Sequence, residues 1–187
     1  MNIWFEDFKQ QLTIAGYGDV EIKDVDQFLQ MVKDKTDGAV QFFDASLIAG
    51  WEHLRFAALN ALNAFKSKVN ISNSLAMETL LYASAQRQIK EAVGLIGIKA
   101  NSSRIAVIII AETPNQASAT LKIVSQLLGG TRDDSVLDFT DDKIAVLKRL
   151  FKISNVELEA KTEHKAAEKQ ALTDLVFEHM ALLVTQH

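Results

Sequence analysis

Seven consecutive apolar residues, Ile105–Ala111 (IAVIIIA), lie between Arg104 and Glu112. An amphipathic helix would repeat its apolar residues every three or four positions, and a strand with one wet face would alternate. An unbroken run of this length rich in β-branched residues reads instead as a strand buried on both faces. It is far too short to cross a bilayer, which needs about 20 apolar residues in a helix. The chain must therefore supply enough apolar surface elsewhere to cover this strand. At 187 residues with 48% hydrophobic and 24% charged composition it has the means to do so, and its length suits one domain spanning residues 1–187.

Covering elements are legible from periodicity. Residues 11–22 mix Thr, Val, Ile and Tyr with Gly16 and Gly18, and read as a strand pair or one kinked strand. Asp24 is placed to cap a helix in which Val25, Phe28, Leu29 and Val32 share a face. Residues 39–44 (AVQFFD) read as a short buried strand after a turn at Gly38. Ser46 is expected to cap the clearest helix, whose Leu47, Trp51, Leu54, Ala58, Ala61, Leu62 and Phe65 keep one face, with Lys66 and Lys68 at its negative end. Asn73 or Ser74 caps the next helix, with Glu78 in its first turn. A further short helix runs from about Arg87 to Gly94 or Ile96 and is ended by Gly97, and residues 115–128 form an amphipathic helix stopped by Gly129-Gly130. Thr140 caps another helix, residues 153–162 are ambiguous, and residues 163–185 read as a long C-terminal helix. Strands and helices do not alternate regularly. The expected class is α+β: a small, mostly antiparallel sheet packed against several helices, with a C-terminal helix.

The chain offers little that resembles reaction chemistry. It has no cysteine, so disulfides and thiolate metal sites are excluded. The four histidines, His53, His164, His179 and His187, are not spaced as ligand pairs, and no HExxH occurs. His53, off the main apolar stripe, reads as a surface residue. Gly16-Tyr17-Gly18 lacks the third glycine and following helix of a dinucleotide loop and reads as a turn or bulge. Asp133-Asp134 and Asp141-Asp142 read as turn and cap residues rather than a cation site. The expectation is a binding subunit with no catalytic residues, metal, cofactor or small-molecule substrate. The N-terminal MNIWFEDFKQ lacks the apolar core of a signal peptide, so the expected location is cytoplasmic, away from membranes.

Charge is uneven. Between residues 66 and 104 there are six basic residues (Lys66, Lys68, Arg87, Lys90, Lys99, Arg104) and two acidic ones (Glu78, Glu91), a net +4 in a chain whose total is −4. A basic patch on an acidic body suits one defined anionic partner better than loose polyanion binding, although a lysine-rich solvated helix face has the same composition. On the C-terminal helix, Leu172, Leu175, Val176, His179, Leu182 and Leu183 make one stripe, and Phe177, Met180, Ala181 and Val184 a second. A helix apolar on most of its circumference is either central to the core or presents a second face to a partner.

Three ordered segments carry a family likeness. Asn73-Ser74, Glu78, Leu80-Leu81, Ser84, Arg87-Gln88-Ile89 and Gly97-Ile98, together with Phe43-Asp44-Ala45 leading to His53-Leu54 and Ala57, and the closing run ALTDLVFEHMALL over residues 171–183, resemble the small kinase-binding subunit of the KEOPS complex, the PRPK-binding protein family, in its archaeal form. The likeness covers residues 39–183. It implies a non-catalytic subunit of the machinery that places threonylcarbamoyl on the adenosine beside the anticodon of tRNA. Such a subunit docks on the N-lobe of a small atypical kinase-ATPase and, in archaeal members, holds the single-stranded 3′ CCA end of tRNA. Carried onto this chain, the RNA contacts would be Arg87, Gln88, Lys90, Asn73, Ser74, Lys66 and Lys68, and the kinase contacts Phe177, Met180, Ala181 and Val184. Tyr82 is either a stacking platform or a half-buried core tyrosine, and Arg87 either an RNA ligand or a helix-capping or salt-bridging arginine. The chain departs from the pattern in its longer N-terminus, in Gly94 within a helix, and in His179 where an arginine is expected.

Overall fold

The computed structural model describes residues 1–162 and 168–185. The seven-residue apolar run becomes β4 (Ile105–Ala111), buried along its whole length. β2 (Gln10–Gly18) pairs with one side of it and β3 (Ala39–Asp44) with the other, both antiparallel. β1 (Asn2–Phe5) extends the sheet beyond β2, and the short β5 (Thr131–Arg132) pairs with β2 further along at Tyr17 and Gly18. Among the described residues the sheet order is β1-β2-β4-β3, with β5 beside β2.

Alternation along β4 sends Ala106, Ile108 and Ile110 to one face and Ile105, Val107 and Ile109 to the other. The first set meets α2 (Gly50–Ser67), α3 (Leu75–Ser84), α4 (Ile89–Ile96), α6 (Asp141–Leu150), α7 (Asn155–Lys161) and α8 (Glu168–Ala181) in one large core. The second set packs with Phe28 and Val32 of α1 (Val25–Lys35) and Ala117, Val124 and Leu128 of α5 (Pro114–Leu128). The result is α+β, with an antiparallel sheet between two helical layers. Each fully buried Ile or Val contributes about 1.5–3 kcal/mol, so the strand is worth most when both layers are present.

Several local expectations hold. Asp24 accepts the Gln27 N–H at 2.9 Å and Ser74 accepts the Met77 N–H at 3.4 Å, each capping its helix. Others change. Ser46 does not cap α2: it lies in a 3-10 turn (Ala45–Leu47) whose cap is Asp44, and α2 starts only at Gly50, where φ is +86°. Residues 11–18 are one strand, not a pair, and the N-terminal ten residues supply its hairpin partner. The ambiguous 153–162 segment contains α7, opened by a Ser154–Glu157 capping box. Of the long C-terminal pattern, residues 163–167 lie outside the described residues and α8 begins at Glu168.

Gly16 and Gly18 make neither turn nor bulge. Both lie in β2, and Gly16 is required by close approach. Its N–H donates to Asp134 Oδ1 at 2.8 Å and its carbonyl accepts the Asp133 N–H at 3.0 Å. A Cβ there would stand 2.4 Å from the Asp133 carbonyl oxygen, whereas at Gly18 the nearest atom would be 3.9 Å away.

His53 is not on the surface. It is completely buried, and its hydrogen bonds fix its tautomer. The Ala49 N–H donates to Nδ1 at 3.1 Å, so Nδ1 carries no proton and Nε2–H donates to the Ala83 carbonyl at 2.8 Å. The ring thus ties the start of α2 to the end of α3, with Phe151 edge-on at 5.7 Å. Burial outweighs the hydrogen bond to Ala83 and pushes the His53 pKa down to about 4.

Two stability predictions arise here. Gly16→Ala should lower unfolding free energy by about 1–3 kcal/mol, because backbone rather than a flexible side chain blocks the methyl; urea denaturation should show Gly18→Ala nearly neutral beside it. The unfolded chain protonates His53 near pH 6.5 and the folded chain only near pH 4. The stabilisation from the neutral ring is therefore complete above about pH 6.5 and lost as pH falls through about 4, a change of about 3 kcal/mol. Urea midpoints of the wild type between pH 7 and 4 should fall more steeply than those of His53→Gln, which has no proton to gain.

Candidate nucleic-acid interface

The His53 bridge has a positional consequence. It joins the N-terminal end of α2 to the C-terminal end of α3, so the two helices run antiparallel. The sequence-selected basic and polar residues consequently divide between the two ends of α3. Lys66, Lys68, Asn73 and Ser74 lie at the end where α2 stops and α3 starts, while Arg87, Gln88 and Lys90 lie where α3 stops and α4 starts. Ten residues of helix separate the groups by about 15 Å.

At the first end, the loop is organised by a group whose role the sequence did not reveal. Glu78 is fully buried, and its carboxylate accepts the N–H groups of Ile71 (3.1 and 3.0 Å) and Ser72 (2.7 Å). A buried carboxylate needs such donors, and here they are backbone groups of the loop that carries Asn73 and Ser74. Lys66 extends its ammonium over the Phe8 ring, 5.2 Å from the centroid. Lys68 closes α2 in the left-handed conformation at φ 57°. All four candidate side chains here are exposed.

At the other end, α3 stops with Ala85 in the left-handed conformation at φ 51°, and its N–H returns to the Tyr82 carbonyl at 3.0 Å. The next residues form a short exposed connection to α4. Arg87 is exposed, and its Nη1 donates to the Leu183 carbonyl at 3.2 Å. It thus caps a carbonyl of the C-terminal 3-10 turn (Leu182–Thr185), using one of the five donors of a guanidinium. Gln88 and Lys90 are exposed beside it. Tyr82 is buried in the core, so it offers no stacking platform; burial raises its pKa, as does Glu78, against a smaller opposing effect of Arg87.

Next to this connection, α4 and α6 wall an open groove of about 610 Å³. Gln86, Gly94, Leu95, Val146 and Leu150 line it, together with Glu91 and with Arg149 and Lys152 at the end of α6. Lys90 precedes Gly94 by one helical turn and so lies on the same side of α4. Arg149 and Lys152 escape a count made along residues 66–104, because they join the patch through tertiary packing. Their only sequence signal is their position after α6, which suits a helix dipole equally well.

The kinase-contact candidates also separate. Met180 is buried in the core with Leu172, Leu175 and Val176, so it presents no surface. Phe177 is half-buried and stacks on Phe56 at 4.6 Å. Ala181 is exposed. Val184 lies in the terminal 3-10 turn, and its side chain is outside the described residues. Lys161 pairs with Glu178, and Lys169 Nζ is 2.6 Å from Asp141, fastening α8 to α7 and α6. Among the described residues no group of three or more metal-ligating side chains is assembled.

Comparison with known proteins identifies the family. The model of the family described as "Kinase binding protein CGI-121" matches residues 18–183. A "Regulatory protein Cgi121" from Methanocaldococcus jannaschii is 35% identical over 135 residues, covering 72% of this chain and 83% of that relative. Residues 1–17, which hold β1 and most of β2, precede the matched span. The chain belongs to the CGI-121 kinase-binding protein family, the non-catalytic KEOPS accessory subunits that its Arg-Gln-Ile segment and closing helix resemble.

Proposed function

We propose that this protein is the cytoplasmic KEOPS subunit that docks the small kinase-ATPase and holds the 3′ CCA end of tRNA. The observation that carries the RNA half is that Arg149 and Lys152 line the groove between α4 and α6, beside the exposed connection and first turn of α4 that bear Arg87 and Lys90. Single-stranded ends are held by cations on phosphates and by apolar or planar surfaces under bases. Leu95, Val146 and Leu150 provide the apolar wall and Arg149 and Lys152 the cations within it, with Arg87 and Lys90 exposed next to Gln86 and Glu91 in the sequence. Glu91 on the same wall disfavours a phosphate directly beside it and so orients the strand with a base there. Lys66, Lys68, Asn73 and Ser74, about 15 Å distant, would meet a different part of the nucleic acid.

For the kinase half, support comes from the family description and from the exposed tip of α8. Deleting α8 would remove Leu172, Val176 and Met180 from the core, so a surface change is the cleaner probe. Ala181→Arg should leave thermal stability within about 0.5 kcal/mol and weaken co-purification with the small kinase. Undiminished binding removes the end of α8 from the interface.

The RNA half is tested by titrating labelled tRNA at several salt concentrations. Affinity should fall steeply with salt and drop at least tenfold when the CCA end is removed. Exchanging Lys90 and Arg149 together for alanine should reduce the log–log salt slope by about 0.7 per lost phosphate contact. Equal affinity with and without CCA would overturn this half while leaving the kinase half standing.

A further inference from the structure

The sheet ends on β3, and among the described residues no strand pairs with its outer edge. Ala45 N–H donates to the Arg104 carbonyl, which together with the register Asp44↔Ile105, Phe42↔Val107 and Val40↔Ile109 makes those three pairs the non-bonded ones of the ladder. The N–H and C=O groups of Val40, Phe42 and Asp44 therefore point away from β4. This edge is not flush with solvent. It forms the floor of a groove of about 510 Å³, walled by Leu29, Val32 and Lys33 of α1 on one side and by residues 74–77 on the other.

One side chain already imitates a missing neighbour. Gln41 Oε1 accepts the Phe42 N–H at 2.9 Å, and its Nε2 donates to the Ala76 carbonyl at 3.3 Å. A carboxamide has the donor and acceptor of a peptide unit, and here it occupies one position of the outer edge. Native sheets block exposed edges in such ways, because an unpaired edge templates the addition of a strand.

We propose that this groove receives an extended segment of a partner protein, added to β3 as a further strand, with apolar side chains at alternate positions and an acidic residue at one end. The backbone edge supplies affinity, and the walls select alternate side chains. The acid is called for by the charge of the walls. Lys33 is the one charged side chain lining the groove and has no carboxylate within 4 Å among the described residues. Opposite it, Ser74 takes the Met77 N–H at 3.4 Å, and the N–H groups of Leu75 and Ala76 have no partner within their helix. A second copy of the chain does not fit, since its own β3 lies equally recessed between its own helices and two floors between walls cannot meet. The groove is at the Ser74 end of α3, distant from Arg87; Ser74 belongs both to its wall and to the second group of RNA candidates, so a nucleotide arm is included in the test.

The probe is the synthetic peptide acetyl-Asp-Val-Thr-Val-Thr-Val-Thr-amide, followed by amide exchange on the full chain. At saturating peptide the Val40 and Asp44 amides should exchange at least tenfold more slowly. Methylating alternate backbone nitrogens of the peptide should abolish the effect. Val40→Pro removes an outward donor without taking a bond from the β4 ladder; it should weaken binding at least tenfold while circular dichroism stays native. Absence of protection at millimolar peptide, equal binding of the methylated peptide, or the same protection produced by a CCA trinucleotide would each overturn the proposal. So would protection that appears without peptide and scales with protein concentration, which is the signature of self-pairing.

Discussion

Burial of β4 on both faces is the constraint from which the remaining architecture follows. A strand with Ile108 and Ile110 on one side and Val107 and Ile109 on the other cannot leave either face wet. One layer is thin, consisting of α1 and α5 with Phe28 edge-on to Phe42 at 5.0 Å. The other is thick, built of α2, α3, α4, α6, α7 and α8, and the candidate RNA and kinase contacts lie on these helices, their connections and the turn after α8. The candidate RNA and kinase contacts are thereby kept off the faces of the sheet and carried on helix ends and connections, where the fold can expose charge without opening the core.

Buried polar groups set where those connections go. His53 holds the end of α3 to the start of α2, and Glu78 gathers the loop at the opposite end. Each is satisfied by backbone groups rather than by another side chain, so removing either leaves orphaned N–H or C=O groups as well as a cavity. A lost partner of that kind costs about 1–3 kcal/mol, more for a charge. Lys143 belongs to the same class: buried, donating to the Val136 carbonyl at 3.0 Å, and held down to about pKa 8 first by burial and then by Arg104.

Periodicity made the main elements legible, because apolar repeat and burial are the same information. β4, α1, α3, α5 and the antiparallel α+β class could be read from residues alone, as could the caps at Asp24 and Ser74. What could not be read were features defined by partners distant in sequence. His53 stands outside the apolar stripe of its own helix, and only α3 closing over it makes the position interior. Gly16 belongs to an ordinary strand until residues 133–136 press against it. Arg149 and Lys152 join the Arg87 patch through packing of α6 beside α4, which a charge count along the chain cannot register. Met180 shows the converse: a second apolar stripe on α8 suggested a docking face, yet the thick layer surrounds the helix far enough to take Met180 into the core.

The bond between Arg87 and the Leu183 carbonyl joins the candidate RNA patch to the end of α8. A guanidinium that swings onto a phosphate releases that carbonyl, and a partner that takes the carbonyl frees the guanidinium. Any coupling through this contact is reciprocal, so each ligand changes the other's affinity by one common factor. Its size is bounded by the bond itself, about 1.5–3 kcal/mol for a charged donor. Because Arg87 has further donors, a ligand can engage them without breaking the bond, and coupling then falls toward zero. The geometry of approach to one side chain therefore decides whether the two surfaces act together or independently.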